Sequence, residues 1–390
     1  EKTFCCVINV QNTEASSEHH TDYTGWDGTF TASNPIAAND TKSVYLSSSL
    51  PTIYTELLLG QGKKLTLCLN GKTLSATNGL TSYNHIRVTD SAALTIDDCV
   101  GTGTVKGAAA NGGWGGIAYV KNGTITIQNG KFTGGTASTG GGAIVVEAGG
   151  TLIIEGGEIS GNTVTSGNGG AIYIKSGGTV TITGGKITDN HAYSGNGGAI
   201  YVEKGGTLNL YGGEITGNTA SGLGGGIYVE AGGRVNIQGN PVVTGNTANG
   251  QTSNVYLAQN QRLYAKDMIS GAKIGISVEA TSYPAGFAVS EQNYSAYFTP
   301  DAAGLSVVHL NGGLSLAAKP SAKLEGSTLT VKTGSNYMDN TVLLFVAEYD
   351  NDGRLLTAQS QAVKPGTPDY TFKVVSSNKI KCFLLNAQTY

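Results

Sequence analysis

"NGGAIYIKSGGTVTITGGKITDN", residues 168–190, is followed by "NGGAIYVEKGGTLNLYGGEITGN", residues 196–218, a near-copy displaced by 28 positions. Within each copy three short runs, such as "AIYIK", "TVTI" and "KITDN", alternate apolar with polar or small residues. That is the period of a half-buried strand, whereas a helix would show apolar residues three and four apart. The pattern extends in both directions. Ile127, Ile154, Ile182, Leu210 and Ile237 close successive four-residue runs at spacings of 27, 28, 28 and 27. "IAYVK", "AIVVE", "GIYVE" and "NVYLA" extend the first family of runs, and "KFTGG", "EISGN", "EITGN" and "PVVTGN" the third. A strand this short cannot bury a core alone, so repeats must stack and pair equivalent strands in parallel. The expected fold is all-β: a right-handed parallel β-helix with three short strands per coil. At roughly 4.8 Å per coil, about nine coils over residues 60–315 would make a rod on the order of 45 Å long.

The corners follow from the same spacing. Glycine pairs beginning at Gly149, Gly177, Gly205 and Gly232 permit left-handed backbone. Asn162, Asn190, Asn218 and Asn246 recur every 28 residues and predict an amide ladder along the axis. Outward positions form columns: Tyr119, Val145, Tyr173, Tyr201, Tyr228 and Tyr256 on one, then Lys121, Glu147, Lys175, Glu203 and Glu230, then Lys131, Glu158, Lys186 and Glu214. The charges mostly alternate in sign, a stacking device for parallel strands.

Composition narrows the function. With 390 residues, 59 glycines, 13% charged residues and a net charge of -3, the chain reads as a secreted type of protein. Four arginines and dispersed lysines supply no basic stripe, which excludes nucleic acid as a partner. No apolar run approaches a membrane span. The opening "EKTFCCVINV" lacks the pattern of a signal peptide and reads as a mature or trimmed start. Among the five cysteines, Cys68 and Cys99 lie 31 residues apart, near one repeat; they are either neighbours able to bridge or two separate thiols. Cys5, Cys6, His19 and His20 match no zinc spacing, and neither a metal nor a cofactor is expected.

Two places invite a functional reading. An exposed tyrosine strip would offer rings on which sugars stack, with Lys175 and Glu203 beside Tyr173, Tyr201, Tyr228 and Tyr256 to bond hydroxyls. The alternative is an aromatic ladder that only stabilises the face. The second place is "TDNHAYSGN", where Asp189, His191 and Tyr193 stand where neighbouring coils carry Gly, Thr and Thr or Ser. With Glu158 and Glu214 on flanking coils, Asp189 and His191 are the candidates for an acid/base pair, set against tolerated drift at an exposed corner.

The ends differ. Residues 1–45 read as a polar N-terminal segment or cap and 46–318 as the β-helix. Residues 319–390 lose the glycine repeat and carry longer alternating strands, with "DNDG" as a hairpin turn and no distal Glu for a calcium loop; they are expected to form a small β-sandwich.

"LTLCLNGKTLSA", "ALTIDDC", the repeated "GGAIYV" units, "GNPVVTGNT", "NVYLAQNQRLY" and "SGAKIGISVE" resemble the secreted or surface β-helix repeat proteins of Gram-positive anaerobic bacteria. Those belong to the wider pectate-lyase-like superfamily. The resemblance spans about residues 24–315, and "LLFVAEYDNDGRLL" is similar to a β-sandwich that follows in such proteins. It implies an extracellular location and a polysaccharide or host-cell glycan as partner. The enzyme motifs of the superfamily are not matched: Asp97 and Asp98 stand without companion elements, and the regular repeats, residues 118–248, have Arg234 as their one arginine and no Asp cluster. The expectation is therefore a non-catalytic adhesin or glycan-binding rod. A polysaccharide lyase or glycoside hydrolase, or a bare spacer, are the alternatives.

Overall fold

The structure, a computed structural model, describes residues 24–26, 41–46, 49–53, 57–76, 85–110, 113–280, 285–310, 312–319, 321–332, 342–363, 369–375 and 379–386. Cys5, Cys6, His19 and His20 lie outside the described residues. The described residues are all-β apart from one 3-10 turn at Ser295–Tyr297.

Each coil turns through strands of the expected alternation. In one repeat these are Ile172–Ile174, Thr179–Ile182 and Lys186–Thr188, and a fourth strand of two residues, His191–Ala192, completes the turn. We name the faces by their outward residues. The tyrosine face holds the "IYV" strands, the threonine face the "TVTI" strands, the charged face the "KIT" strands, and the short face the two-residue strands. All repeat-to-repeat pairings from Ala118 to Thr244 are parallel and in register, for example Val180 opposite Leu152 and Leu208. Nine rungs of the threonine face run from Lys64–Cys68 to Ala285–Val289 and delimit eight full turns; Thr41–Leu46 and Thr24–Trp26 pair in parallel beyond the first rung.

In-register pairing places like on like. Ile127, Ile154, Ile182, Leu210 and Ile237 stack as one buried column, and Phe132, Ile159, Ile187, Ile215 and Val243 as another. Each such side chain contributes about 1.5–3 kcal/mol of burial. The asparagines form the expected ladder: Asn162 Nδ2 donates to Asn190 Oδ1 at 3.0 Å, Asn190 to Asn218 at 2.9 Å, and Asn218 to Asn246 at 2.9 Å. All four are fully buried. Each carbonyl oxygen from Asn190 to Asn246 also accepts the backbone N–H of the preceding rung's asparagine. The ladder runs on through Asn254 and ends on the Asp301 carboxylate, which accepts the Asn254 amide at 2.6 Å. Burial raises the Asp301 pKa, against the hydrogen bonds from Asn254 and Ser277.

The "TDN" departure is a backbone event. Gly161, Gly217 and Gly245 hold left-handed φ values of 64°, 69° and 68°, and Asp189 at the same corner holds 54°. Aspartate is among the few non-glycine residues that adopt this region readily. Its side chain accepts the Thr188 hydroxyl at 2.7 Å.

The stack has finished ends on its C-terminal side. Gln251–Thr252 folds back antiparallel on Thr247–Ala248 and closes the short face. Gly313–Ala318 pairs antiparallel with Ala285–Val289 and with Leu305–Leu310, covering the open edge of the threonine face. Beyond it two three-stranded antiparallel sheets share a separate core that includes Leu329, Val331, Leu344, Val346 and Phe372, a sandwich-like arrangement. "DNDG" is the turn expected: Gly353 has φ 83°, and Asp350 Oδ1 accepts the N–H groups of Asp352 and Arg354.

Candidate functional site

The tyrosine column forms, but its rings are not free. Tyr173, Tyr201, Tyr228 and Tyr256 stack with centroid separations of 4.9, 5.2 and 5.7 Å, and the Trp114 ring meets Tyr173 edge-on at 5.2 Å. Tyr173 and Tyr201 are buried, 7% and 8% exposed, in a cluster with Val145 outside the coil interior. The expected exposure is thereby corrected for Tyr173 and Tyr201, whereas Tyr228 and Tyr256 are partly exposed with their rings stacked on their neighbours. Burial raises the phenol pKa of Tyr173 and Tyr201, and Glu203 and Glu230 add to the shift, so both remain hydroxyl donors across the physiological range.

Lys175 and Glu203 are likewise engaged. Lys175 bonds Glu147 and lies 4.5 Å from the Trp114 ring centroid, while Glu203 accepts the Ser176 N–H at 2.9 Å. Lys121 approaches Glu147 from the other side at 3.5 Å. Burial would push the Glu147 carboxyl up, yet the hydrogen bonds from Lys175 and Tyr119 hold it below the usual range.

On the charged face, Lys131 pairs with Glu158 at 2.9 Å and Lys186 with Glu214 at 3.6 Å. These four side chains wall an open groove of about 780 Å³ that crosses successive coils. Its floor is glycine because Gly157, Gly185 and Gly213 hold left-handed φ values of 73°, 79° and 77°, and a Cβ on any of them would fall within 2.8 Å of a carbonyl oxygen of the preceding coil. Hydrogen bonding from Ser160, then from Lys131, holds the Glu158 carboxyl below its ordinary pKa. A general acid requires the opposite shift. Glu158 and Glu214 stand two coils apart, roughly 10 Å at the strand spacing, with Lys186 on the coil between.

Asp189 and His191 are not brought together by hydrogen bonding. His191 engages the Thr219 hydroxyl through Nδ1, and its ring meets Tyr193 at 3.9 Å. Burial lowers the His191 pKa. The four acid/base candidates therefore do not assemble into one constellation.

The arrangement with the widest chemical reach was not singled out from sequence. On the threonine face the outward column reads Thr126, Ile153, Thr181, Asn209, Asn236 and Tyr264. Asn209 donates to Thr181 Oγ1 at 3.1 Å and Asn236 to Asn209 Oδ1 at 2.7 Å. Arg234 Nε donates to Asn236 Oδ1 at 3.1 Å, and its guanidinium lies 4.7 Å from the Tyr264 ring centroid. This row runs into a cleft of about 620 Å³, whose far side is formed by Ser290, Glu291 and Gln292. Tyr264 is 45% exposed there, with Tyr211 and Lys266 also lining the cleft. The signal in the sequence is the loss of threonine from the outward register, "TLNLY" and "RVNIQ" giving way to "RLYAKD".

A family model described as a right handed beta helix region matches residues 115–293. The chain is a right-handed β-helix repeat protein, an architecture shared by adhesins, lyases and hydrolases. No curated protein and no solved structure matches it. Among the described residues no helix is long and apolar enough to cross a membrane.

Proposed function

We propose that the chain is a non-catalytic extracellular surface protein, an adhesin-like rod that holds a polysaccharide or cell-surface glycan in the cleft at Tyr264. The observation that carries this reading is the half-exposed Tyr264 ring set among Arg234, Asn236, Glu291 and Gln292. A sugar ring presents C–H groups on its face and hydroxyls around its rim. An exposed aromatic ring suits the former, and amide, carboxylate and guanidinium groups suit the latter. The long tyrosine column lies on another face of the coil and does not line this cleft. The depressed Glu158 carboxyl weighs against the enzymatic alternative, a lyase or glycoside hydrolase on the same scaffold.

Immobilised polysaccharides and a glycan array, probed with the full chain, test the reading. Tyr264→Ala and Arg234→Ala should each weaken binding by roughly tenfold or more, as residues at the centre of a contact do. Tyr173→Phe should leave it unchanged. Equal binding by all three variants, or release of reducing or unsaturated ends from a bound polysaccharide, would overturn it.

A further inference from the structure

We infer that Cys68 and Cys99 are a redox modification site, at which oxidation joins two successive coils near the N-terminal part of the rod by a disulfide. Cys68 ends the strand Lys64–Cys68, and its register partner on the next coil is Asp97, two residues before Cys99. The two sulfurs lie 3.2 Å apart. A bridge therefore requires only a small closure of the sulfurs, with no change of register.

The corner around them is held independently. Asp98 is buried; its Oδ1 accepts the Gly71 N–H at 2.7 Å and its Oδ2 the Gly103 N–H at 2.6 Å, so one carboxylate fixes the backbone on both coils. Asn129 Nδ2 binds Asp97 Oδ1 at 2.8 Å and ties in the following coil. The cysteines are thus presented to each other by a scaffold that does not depend on the bond. Their exposure is unequal: Cys68 is 2% exposed and Cys99 is partly exposed. A reagent meets Cys99 first and Cys68 resolves the adduct.

The chemistry balances with a small-molecule disulfide as oxidant. The Cys99 thiolate attacks one sulfur of the reagent, forming a mixed disulfide and releasing one small thiolate. The Cys68 thiolate then attacks Cys99 Sγ, forming the Cys68–Cys99 bond and releasing the second. Two electrons pass to the reagent, and the two protons lost by the cysteines end on the two released thiols.

The full chain is equilibrated with an oxidised or a reduced small-molecule thiol, trapped by alkylation after unfolding, digested and weighed. After oxidation, a Cys68–Cys99 linked peptide lighter by two hydrogens is expected, with both cysteines protected from alkylation; after reduction, both are labelled. The closed loop spans 31 residues, and the oxidised chain should unfold on the order of 5 °C higher than the reduced one. Cys99→Ser should abolish that difference, and Cys68→Ala serves as the second control if either variant folds poorly. Full alkylation of both cysteines after oxidation, or their linkage to Cys5, Cys6 or Cys382 instead, overturns the assignment.

Discussion

The central coils, residues 118–248, and the first coils, residues 57–76 and 85–110, stack the same faces with different corners. In the centre the repeat is 27 or 28 residues, and the corner between the charged and short faces carries a buried asparagine on each coil from Asn162 to Asn246. In the first coils the equivalent apolar positions Leu67, Ile96 and Ile127 are 29 and 31 residues apart, Ala108 stands in the register position of the asparagines, and the polar cluster lies instead where the threonine face turns into the charged face, at Cys68, Asp97, Asp98 and Cys99. The difference is chemical. An amide both donates and accepts, so an asparagine corner passes its hydrogen bond to the next coil and can be repeated without limit. A carboxylate only accepts. Asp98 gathers N–H groups from its own coil and the previous one and hands nothing on, just as Asp301 terminates the ladder at the far end.

The sharpest way to break the central half is Asn190→Leu. It strips acceptors from the Asn162 N–H and side-chain amide and leaves Asn218 Oδ1 and the Ile159 and Thr188 carbonyls short of a donor. Stability should fall by about 4 kcal/mol in urea unfolding, as expected for several buried polar groups orphaned at once. A loss under about 1 kcal/mol would mean that the ladder is ornament.

The first half should instead show an acid sensitivity that the ladder lacks. His85 is buried at 2% exposure, both ring nitrogens lack a hydrogen-bond partner among the described residues, and burial lowers its pKa from 6.5 to about 4. A histidine depressed on folding stabilises the native state fully above its unfolded value. That stabilisation is lost as pH falls from 6.5 towards 4, up to roughly 3 kcal/mol at about 1.4 kcal/mol per unit. Unfolding curves at pH 7 and pH 4.5 should separate the wild type from His85→Leu, in which this share of the acid dependence disappears. The same pH dependence in both proteins would refute the role of His85.

The smallest effect lies at the "TDN" corner. Asp189→Gly restores the residue that neighbouring coils use at this left-handed position. It removes the bond from Thr188 but relieves a strained φ, so stability should change by less than about 1 kcal/mol. A larger loss in thermal unfolding would give Asp189 a structural part that its single local hydrogen bond does not suggest.

Much of this was legible because a repeat reports on itself. The strand period, the apolar columns and the asparagine ladder all follow from residues recurring at one spacing. The pairs Lys131 with Glu158 and Lys186 with Glu214 follow from the sign alternation. What escaped depends on neighbours rather than period. A two-residue strand such as His191–Ala192 is too short to show alternation. The burial of Tyr173 comes from Trp114, which lies outside its column, and from the approach of Gly140, where a Cβ would sit 2.6 Å from the ring. Glu203 and Glu230 are like charges on adjacent strands, tolerated because each accepts a turn N–H, from Ser176 and Lys204. The Tyr264 cleft forms where the repeat decays, so no period points to it.

The amides from Asn162 to Asn254 all face the same way, with the Gly135 N–H feeding the first carbonyl and Asp301 receiving the last donor. Such a queue has a head and a tail but no preferred length. Copying one 28-residue block inside it would add a rung that fits both neighbours, lengthening the protein by about 4.8 Å while leaving both termini chemically unaltered. Reach is thus a quantity that duplication can adjust in fixed steps, independently of whatever the ends are built to hold.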